Sequence, residues 1–202
     1  MVVLMLAAFG AGLRGEEVLL ISLDRLLTFW DESRLDEDSH VMLTLKGRFK
    51  GEVDERWHLV PISDATRLGL PVRKWMERVL HRRVNLHNRE SGWLFQDQRG
   101  ARRKFGQYDA LYRALVDQAQ ERHPGLVPEA VETEDFSLWK SPRRGAVLEA
   151  TNQEVSEKDI ELINRWRKKE AAKGSEAGLA MRQVYTQVRS TLPTMLKLSK
   201  AL

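Results

Sequence analysis

The stretch FGAGLRGEEV, residues 9–18, decides how this chain is read. Gly10, Gly12 and Gly15 spell G-x-G-x-x-G behind the apolar run MVVLMLAAF, the way a dinucleotide-binding turn is written. Arg14 stands among those glycines and Glu17 follows three residues later. The same letters therefore also describe a helix start that presents an arginine. A dinucleotide fold needs strands alternating with helices in a parallel sheet, and an acid about 20 residues on to hold the ribose. Asp31 stands near that distance. Downstream, however, the β-rich runs read as one hairpin and the rest as helices without intervening strands. The turn is therefore read as a helix start.

Around it, residues 3–30 read mainly as helix. LMLAAF is rich in helix formers, and EEVLLISLDRLLTFW repeats apolar positions at helical spacing. The first nine residues resemble a signal-peptide core but lack a basic leader and a cleavage site, and they are too short to span a membrane. So apolar a start suggests that the N-terminal part of a larger protein is missing. DESRLDEDS, 31–39, is an acidic loop. Two β-rich runs, 41–45 and 57–62, flank a Lys/Gly turn region and predict a hairpin.

Helices are expected over 63–85, capped by Ser63 or Asp64, and over 104–123, ending at Pro124 and Gly125. GWLFQD between them is a short apolar stop. A further helix covers 141–153, with Pro142 in its first turn, where proline is tolerated. Another, over 156–172, opens with the capping-box variant Ser156 to Asp159, and a last one within 174–198 is broken at Pro193. The fold class is α+β, mainly α: a helical unit with a small antiparallel sheet, one domain over residues 1–202.

Hydrophobic residues are 42% and charged residues 31% of the chain, the balance of a soluble globular protein with a real core. Cysteine is absent, which excludes disulfides and thiolate chemistry and fits a reducing, intracellular compartment. The net charge of +4 is uneven. Residues 137–202 carry 13 Lys and Arg against 7 Asp and Glu, whereas residues 1–136 carry 20 against 22. A basic C-terminal third suggests a polyanion there; a solvated helical face explains the charge alone equally well. His40, His58, His81, His87 and His123 are scattered without metal-ligand spacing, so no metal site is expected. HRRVNLHNR, with Arg82 and Arg83, reads as a basic strip touching DNA backbone.

GLRGEEV resembles the GLRxxEL segment of the tyrosine recombinases, the phage integrase family, in which a helix ends, turns at glycine and presents an arginine to DNA phosphate. LTLKGRFKGEVDERWHLVPIS resembles that family's lysine-bearing hairpin. KSPRRGA is similar to its H/K-x-x-R helix start, INRWRKKE to its next histidine or tryptophan element, and MRQVYTQV to the phrase holding its tyrosine. The resemblance runs from Phe9 to Val188 in the family's order. It implies a catalytic set of Arg14, Lys46, Lys140, Arg143, Trp166 and Tyr185, with Glu17 holding Arg14 in place. It further implies DNA contacts from Lys50, Arg82, Arg83, Arg144 and Arg167. Lys140 stands where histidine is commonest, residues 167–184 form a longer link than usual, and no DNA-clamping domain precedes Arg14.

The implied activity is metal-free, cofactor-free cleavage and rejoining of double-stranded DNA through a 3′-phosphotyrosine, as in integration or recombination by a mobile element. The implied partners are DNA and further copies assembled on it, with TLPTMLKLSKAL as a tail for a neighbour; an ordinary frayed amphipathic tail explains that stretch equally well. No membrane is involved, and the place of action is the nucleus in a eukaryote or the nucleoid in a bacterium. Two other readings stay open: a DNA-binding relic of the same fold with a decayed site, and a nucleotide-dependent oxidoreductase using Gly10, Gly12 and Gly15.

The chemistry accounts for these residue types. A phosphodiester is anionic, and without a metal the protein itself must neutralise the pentacoordinate transition state. Two guanidiniums suit this, because each offers a planar fork to two oxygens. A phenol attacks and later leaves, storing the energy of the broken bond. A lysine can protonate the departing 5′-oxygen. Each residue also has an ordinary reading. Arg14 pairs with Glu16 or Glu17, Trp166 and Tyr185 pack in a core, and Lys46 keeps a hairpin soluble. Tyr108 and Tyr112, four apart on one helix, are read as packing residues.

Overall fold

The computed structural model describes residues 1–30, 40–47, 55–125, 136–157, 159–160, 196 and 198–202. These residues form a mainly helical α+β fold with one two-stranded antiparallel sheet. The apolar N-terminus is helix α1, Val2–Gly10, whose Val3, Leu4, Ala7 and Ala8 are buried. It packs against elements from both halves of the chain, so its apolar composition serves the core.

Gly12 ends α1 with φ at 57°, a conformation that costs an L side chain roughly 1 kcal/mol. The N–H of Leu13 donates to Ala8 O at 2.9 Å and that of Gly12 to Phe9 O at 3.0 Å. This pair of bonds is a Schellman stop. Helix α2, Gly15–Val18, and helix α3, Leu23–Thr28, follow. The segment 3–30, read as mainly helix, is thus three short helices. Its second break arises because the backbone at 20–22 is taken by the sheet edge: Lys46 N donates to Leu20 O and Ser22 N to Thr44 O.

Strands β1, His40–Gly47, and β2, Arg56–Ser63, pair from His40 opposite Ser63 to Gly47 opposite Arg56, as the hairpin pattern predicts. Val41, Leu43 and Leu45 enter the core at strand spacing. Helix α4 is Val72–His81, beginning well after the caps expected at Ser63 and Asp64. Ser63 is the last residue of β2, and Asp64 Oδ2 instead accepts from Arg73 Nε at 2.8 Å. Gly69 takes φ 79° and Pro71 keeps its predecessor out of helical geometry, so the chain turns before α4 starts. One π-helical turn, Arg82–Leu86, extends α4.

Helix α5, Phe105–Arg122, and helix α6, Ser141–Asn152, match their expected spans closely, with Pro142 in the first turn of α6. Leu94, in the apolar stop between α4 and α5, is buried, and its N–H donates to Ile21 O at 2.8 Å. At the C-terminus, Leu198 and Leu202 pack with Ala146, Ala150 and Ile160, and Phe9 covers them. Ser199 Oγ accepts from Ser63 N at 2.7 Å. These tail residues are seated on their own chain. Among the described residues no helix is long and apolar enough to cross a membrane.

Candidate functional site

Arg14 sits between the Schellman stop and α2 with an extended backbone, φ −71° and ψ 150°. Glu17 reaches back to it twice. Its Oε2 accepts from Arg14 N at 2.9 Å and its Oε1 from Arg14 Nη1 at 3.2 Å. The first contact is the backward half of a capping box, so helix start and arginine are fixed by the same carboxylate.

That carboxylate also faces α6. Arg143 Nη1 lies 3.8 Å from Glu17 Oε2, and both side chains are 9% exposed. One buried acid thus stands between two guanidiniums from opposite ends of the chain.

Gly15 makes this approach possible. A Cβ built there would lie 2.5 Å from Phe105 Cε2 and 2.7 Å from the Leu138 carbonyl oxygen. The absence of a side chain lets α2 press against the start of α5 and the turn into α6. Gly10 is different, since a Cβ there meets nothing nearer than 3.7 Å. Within G-x-G-x-x-G, then, Gly12 supplies a positive φ, Gly15 supplies a close approach, and Gly10 supplies neither. The described residues contain no parallel strands, the setting a dinucleotide turn requires.

The start of α6 is tied to α5. Asp109 Oδ1 accepts from Leu138 N at 2.8 Å, and Asp109 Oδ2 pairs with Arg113 Nη2 at 3.0 Å. The Tyr112 hydroxyl hydrogen-bonds with the Ser141 side chain. Burial raises the Tyr112 pKa, the Ser141 bond opposes the rise, and Asp109 adds to it. Burial also raises the Tyr108 pKa. Both tyrosines are buried packing residues, as expected.

Two recesses open beside Arg14. The larger, about 600 Å³, lies between α2, the end of β1 and the turn before α5. Its cations are Arg14, Arg102, Arg103 and Lys104, its acids Glu16 and Glu17, and its rings Phe105 and Trp139. The smaller, about 430 Å³, runs along α6 past Lys140, Arg143, Arg144, Val147 and Leu148. Arg14 and Trp139 line both and form the wall between them. Trp139 stands edge-on to Phe105, with centroids 5.7 Å apart and planes at 82°.

The structure therefore gathers Arg14, Glu17, Lys140, Arg143 and Arg144. It places Lys46 elsewhere. That side chain is exposed, with Nζ 5.7 Å from the centroid of Trp57, a ring Arg25 also approaches at 5.3 Å. Its neighbour Gly47 lines the larger recess, but side chains alternate along a strand and Lys46 points away from that face.

Arg82 is exposed and Arg83 half-buried, and neither lines either of these two recesses. Arg83 Nη2 donates to Gln96 O at 2.9 Å, a structural contact. Burial lowers the Arg83 pKa, Tyr108 opposes this, and Arg103, Arg89 and Arg82 lower it further. Lys50, Trp166, Arg167 and Tyr185 lie outside the described residues.

The site residues that sequence reasoning missed are Arg102, Arg103, Lys104 and Trp139. Their signal was present: ARRKF puts three consecutive cations ahead of an amphipathic helix, and Trp139 directly precedes KSPRR. No group of three or more His, Cys, Asp or Glu side chains able to hold a metal occurs among the described residues. The chain matches no protein-family model, no curated protein and no solved structure.

Proposed function

We propose that this chain is a DNA strand-breaking and rejoining domain of the tyrosine-recombinase kind. The observation that carries the proposal is the meeting of Arg14 and Arg143 on Glu17, in a cleft whose walls add Arg102, Arg103, Lys104, Lys140 and Arg144. Such a concave strip of cations suits a phosphodiester backbone, whose contacts position a duplex without reading its sequence.

In this reading the two guanidiniums bind the non-bridging oxygens of the scissile phosphate, and Glu17 orients them beforehand. Preorganised donors of this kind act where charge develops, and losing one costs on the order of 3 kcal/mol of barrier. Lys140, exposed beside them, adds a further donor. Tyr185 attacks phosphorus as its phenolic proton passes to solvent water, the bond from phosphorus to the 5′-oxygen breaks, and that oxygen takes a proton from Lys46 swung off Trp57. Rejoining reverses these steps.

The test is a suicide substrate nicked so that the cleaved end diffuses away. Wild-type protein is expected to leave a covalent protein–DNA adduct on a denaturing gel, and Tyr185→Phe to bind the same DNA without one. An adduct from Tyr185→Phe would overturn the choice of nucleophile. Salt-sensitive binding with no adduct from the wild type would make the chain a DNA-binding protein instead.

A further inference from the structure

The larger recess holds more positive charge than a two-arginine centre uses. Arg102, Arg103 and Lys104 come from one turn before α5, and none of them lines the smaller recess. Among the described residues none of the three has an ion-pair partner. The acids in the recess are Glu16 and Glu17, and Glu17 is already engaged by Arg14 and Arg143. Arg102 and Arg103 lie over the rings of Trp93 and Tyr108, at 5.8 and 5.9 Å, and a ring removes no net charge. Against three such cations the recess of about 600 Å³ sets one further acid, the exposed Glu16, so its surplus positive charge calls for an anion of ligand size.

The recess is also aromatic. Trp139 keeps 36% of its surface exposed while Phe105 braces it edge-on. A ring fixed from one side beside cations in surplus is the pairing that single-stranded nucleic acid uses, a base on the ring and its phosphate on the charges. Bases inside a duplex are already stacked and offer no free face.

We infer that the larger recess is a subsite for an unpaired nucleotide of the bound DNA. Arg102, Arg103 and Lys104 take its phosphate and Trp139 stacks its base. The inference rests on the cleavage reading for its location, because the neighbouring phosphate is then the one held by Arg14 and Arg143. The site would favour DNA already opened, or easily opened, next to the point of cleavage.

Equilibrium binding tests this without any chemistry. A short duplex is compared with the same duplex carrying a central bubble of unpaired nucleotides, over a salt series. Wild type is expected to prefer the bubble by about tenfold, the scale of one base stacked on an aromatic ring. Trp139→Ala is expected to bring that ratio close to one, with Trp139→Phe between. Arg102→Ala and Lys104→Ala, at exposed positions, are each expected to weaken binding to both DNAs and to lower the salt slope by roughly one.

Equal binding of the two DNAs by wild type, or a preference surviving in Trp139→Ala, overturns the stacking half. Unchanged salt slopes in the two charge variants overturn the phosphate half. Should Trp139→Ala fail to fold, Trp139→Phe and the charge variants decide. Deoxyadenosine monophosphate competing as well as the bubble strand would assign the recess to free nucleotides and overturn the assignment to DNA. Adduct formation is not read in this experiment, so a missing adduct defeats the cleavage reading and leaves this result standing.

Discussion

Two groups of cations in this molecule are held in opposite ways. Arg14 and Arg143 meet a buried carboxylate, and that contact joins the first helices to α6. Lys46 and Arg25 both rest against the ring of the exposed Trp57 at the end of the hairpin, at ring distances of 5.7 and 5.3 Å. A charge buried beside its counter-charge is committed to one geometry, because moving it leaves a partner stranded in a poor dielectric. A charge parked on a solvated ring gives up little by moving. The first arrangement suits groups that must stand ready, and the second suits a group that must travel. Substitutions at the two places should therefore differ in what they cost the fold.

The largest expected effect on stability is at Glu17. Glu17→Gln keeps the side-chain shape and removes the charge between two guanidiniums. Breaking a buried ionic contact from one side costs roughly 3 kcal/mol. The urea midpoint should fall by a corresponding amount with the slope unchanged. A double-mutant cycle with Arg143→Ala should show strong non-additivity. Additive losses would mean that the contact at 3.8 Å contributes little and that Arg143 is held from elsewhere.

Gly15→Ala comes next. Its Cβ would meet the backbone oxygen of Leu138 at 2.7 Å, an atom that cannot swing aside. Overpacking of this kind costs about 1–3 kcal/mol and would push α2 away from α6, separating the two arginines. Gly10→Ala serves as the control, because its Cβ would meet Ile62 and Ser199 at an ordinary van der Waals distance of 3.7 Å and alanine is expected to stabilise by about 0.5 kcal/mol. Thermal melts of the pair check this. Equal responses would remove the distinction between a glycine with no room for a Cβ and one with room.

Much of this was legible in the sequence, for reasons that differ by residue. Arg14 and Glu17 were legible because three-residue spacing at a helix start is a local rule, and local rules survive folding. The hairpin, α5 and α6 were legible because their apolar spacing matches the element they form. The start of α4 was misplaced because Ser63 and Asp64 look like caps, while Ser63 ends β2 with its N–H donating to Ser199 and the Asp64 carboxylate accepts from Arg73.

The contact between Arg143 and Glu17 follows from no spacing at all. It depends on Gly15 closing onto Leu138 and on Asp109 holding the turn before α6. The 102–104 turn was missed because three adjacent cations read as a solvated surface until a recess is seen behind them. Lys46 was assigned to the site because hairpin and residue type agree; strand alternation sets its resting place on the face opposite Gly47, so it must travel to act.

The smallest expected effect on stability is at Lys46, and it separates the two groups most sharply. Lys46→Ala removes one cation from Trp57 and leaves Arg25 there, a change of about 0.5 kcal/mol at such an exposed ring. If Lys46 nevertheless protonates the leaving oxygen, cleavage should slow by about a hundredfold or more, the usual worth of a positioned acid. The two consequences come apart because the lysine contributes only when it leaves its resting place. A substrate with sulfur in place of the leaving 5′-oxygen needs no proton, and on it Lys46→Ala should cleave at the wild-type rate. A slow variant on both substrates would make Lys46 a binding contact rather than an acid. An unaffected rate on the oxygen substrate would pass the role to Lys50, the other lysine that the family resemblance implicates on this hairpin.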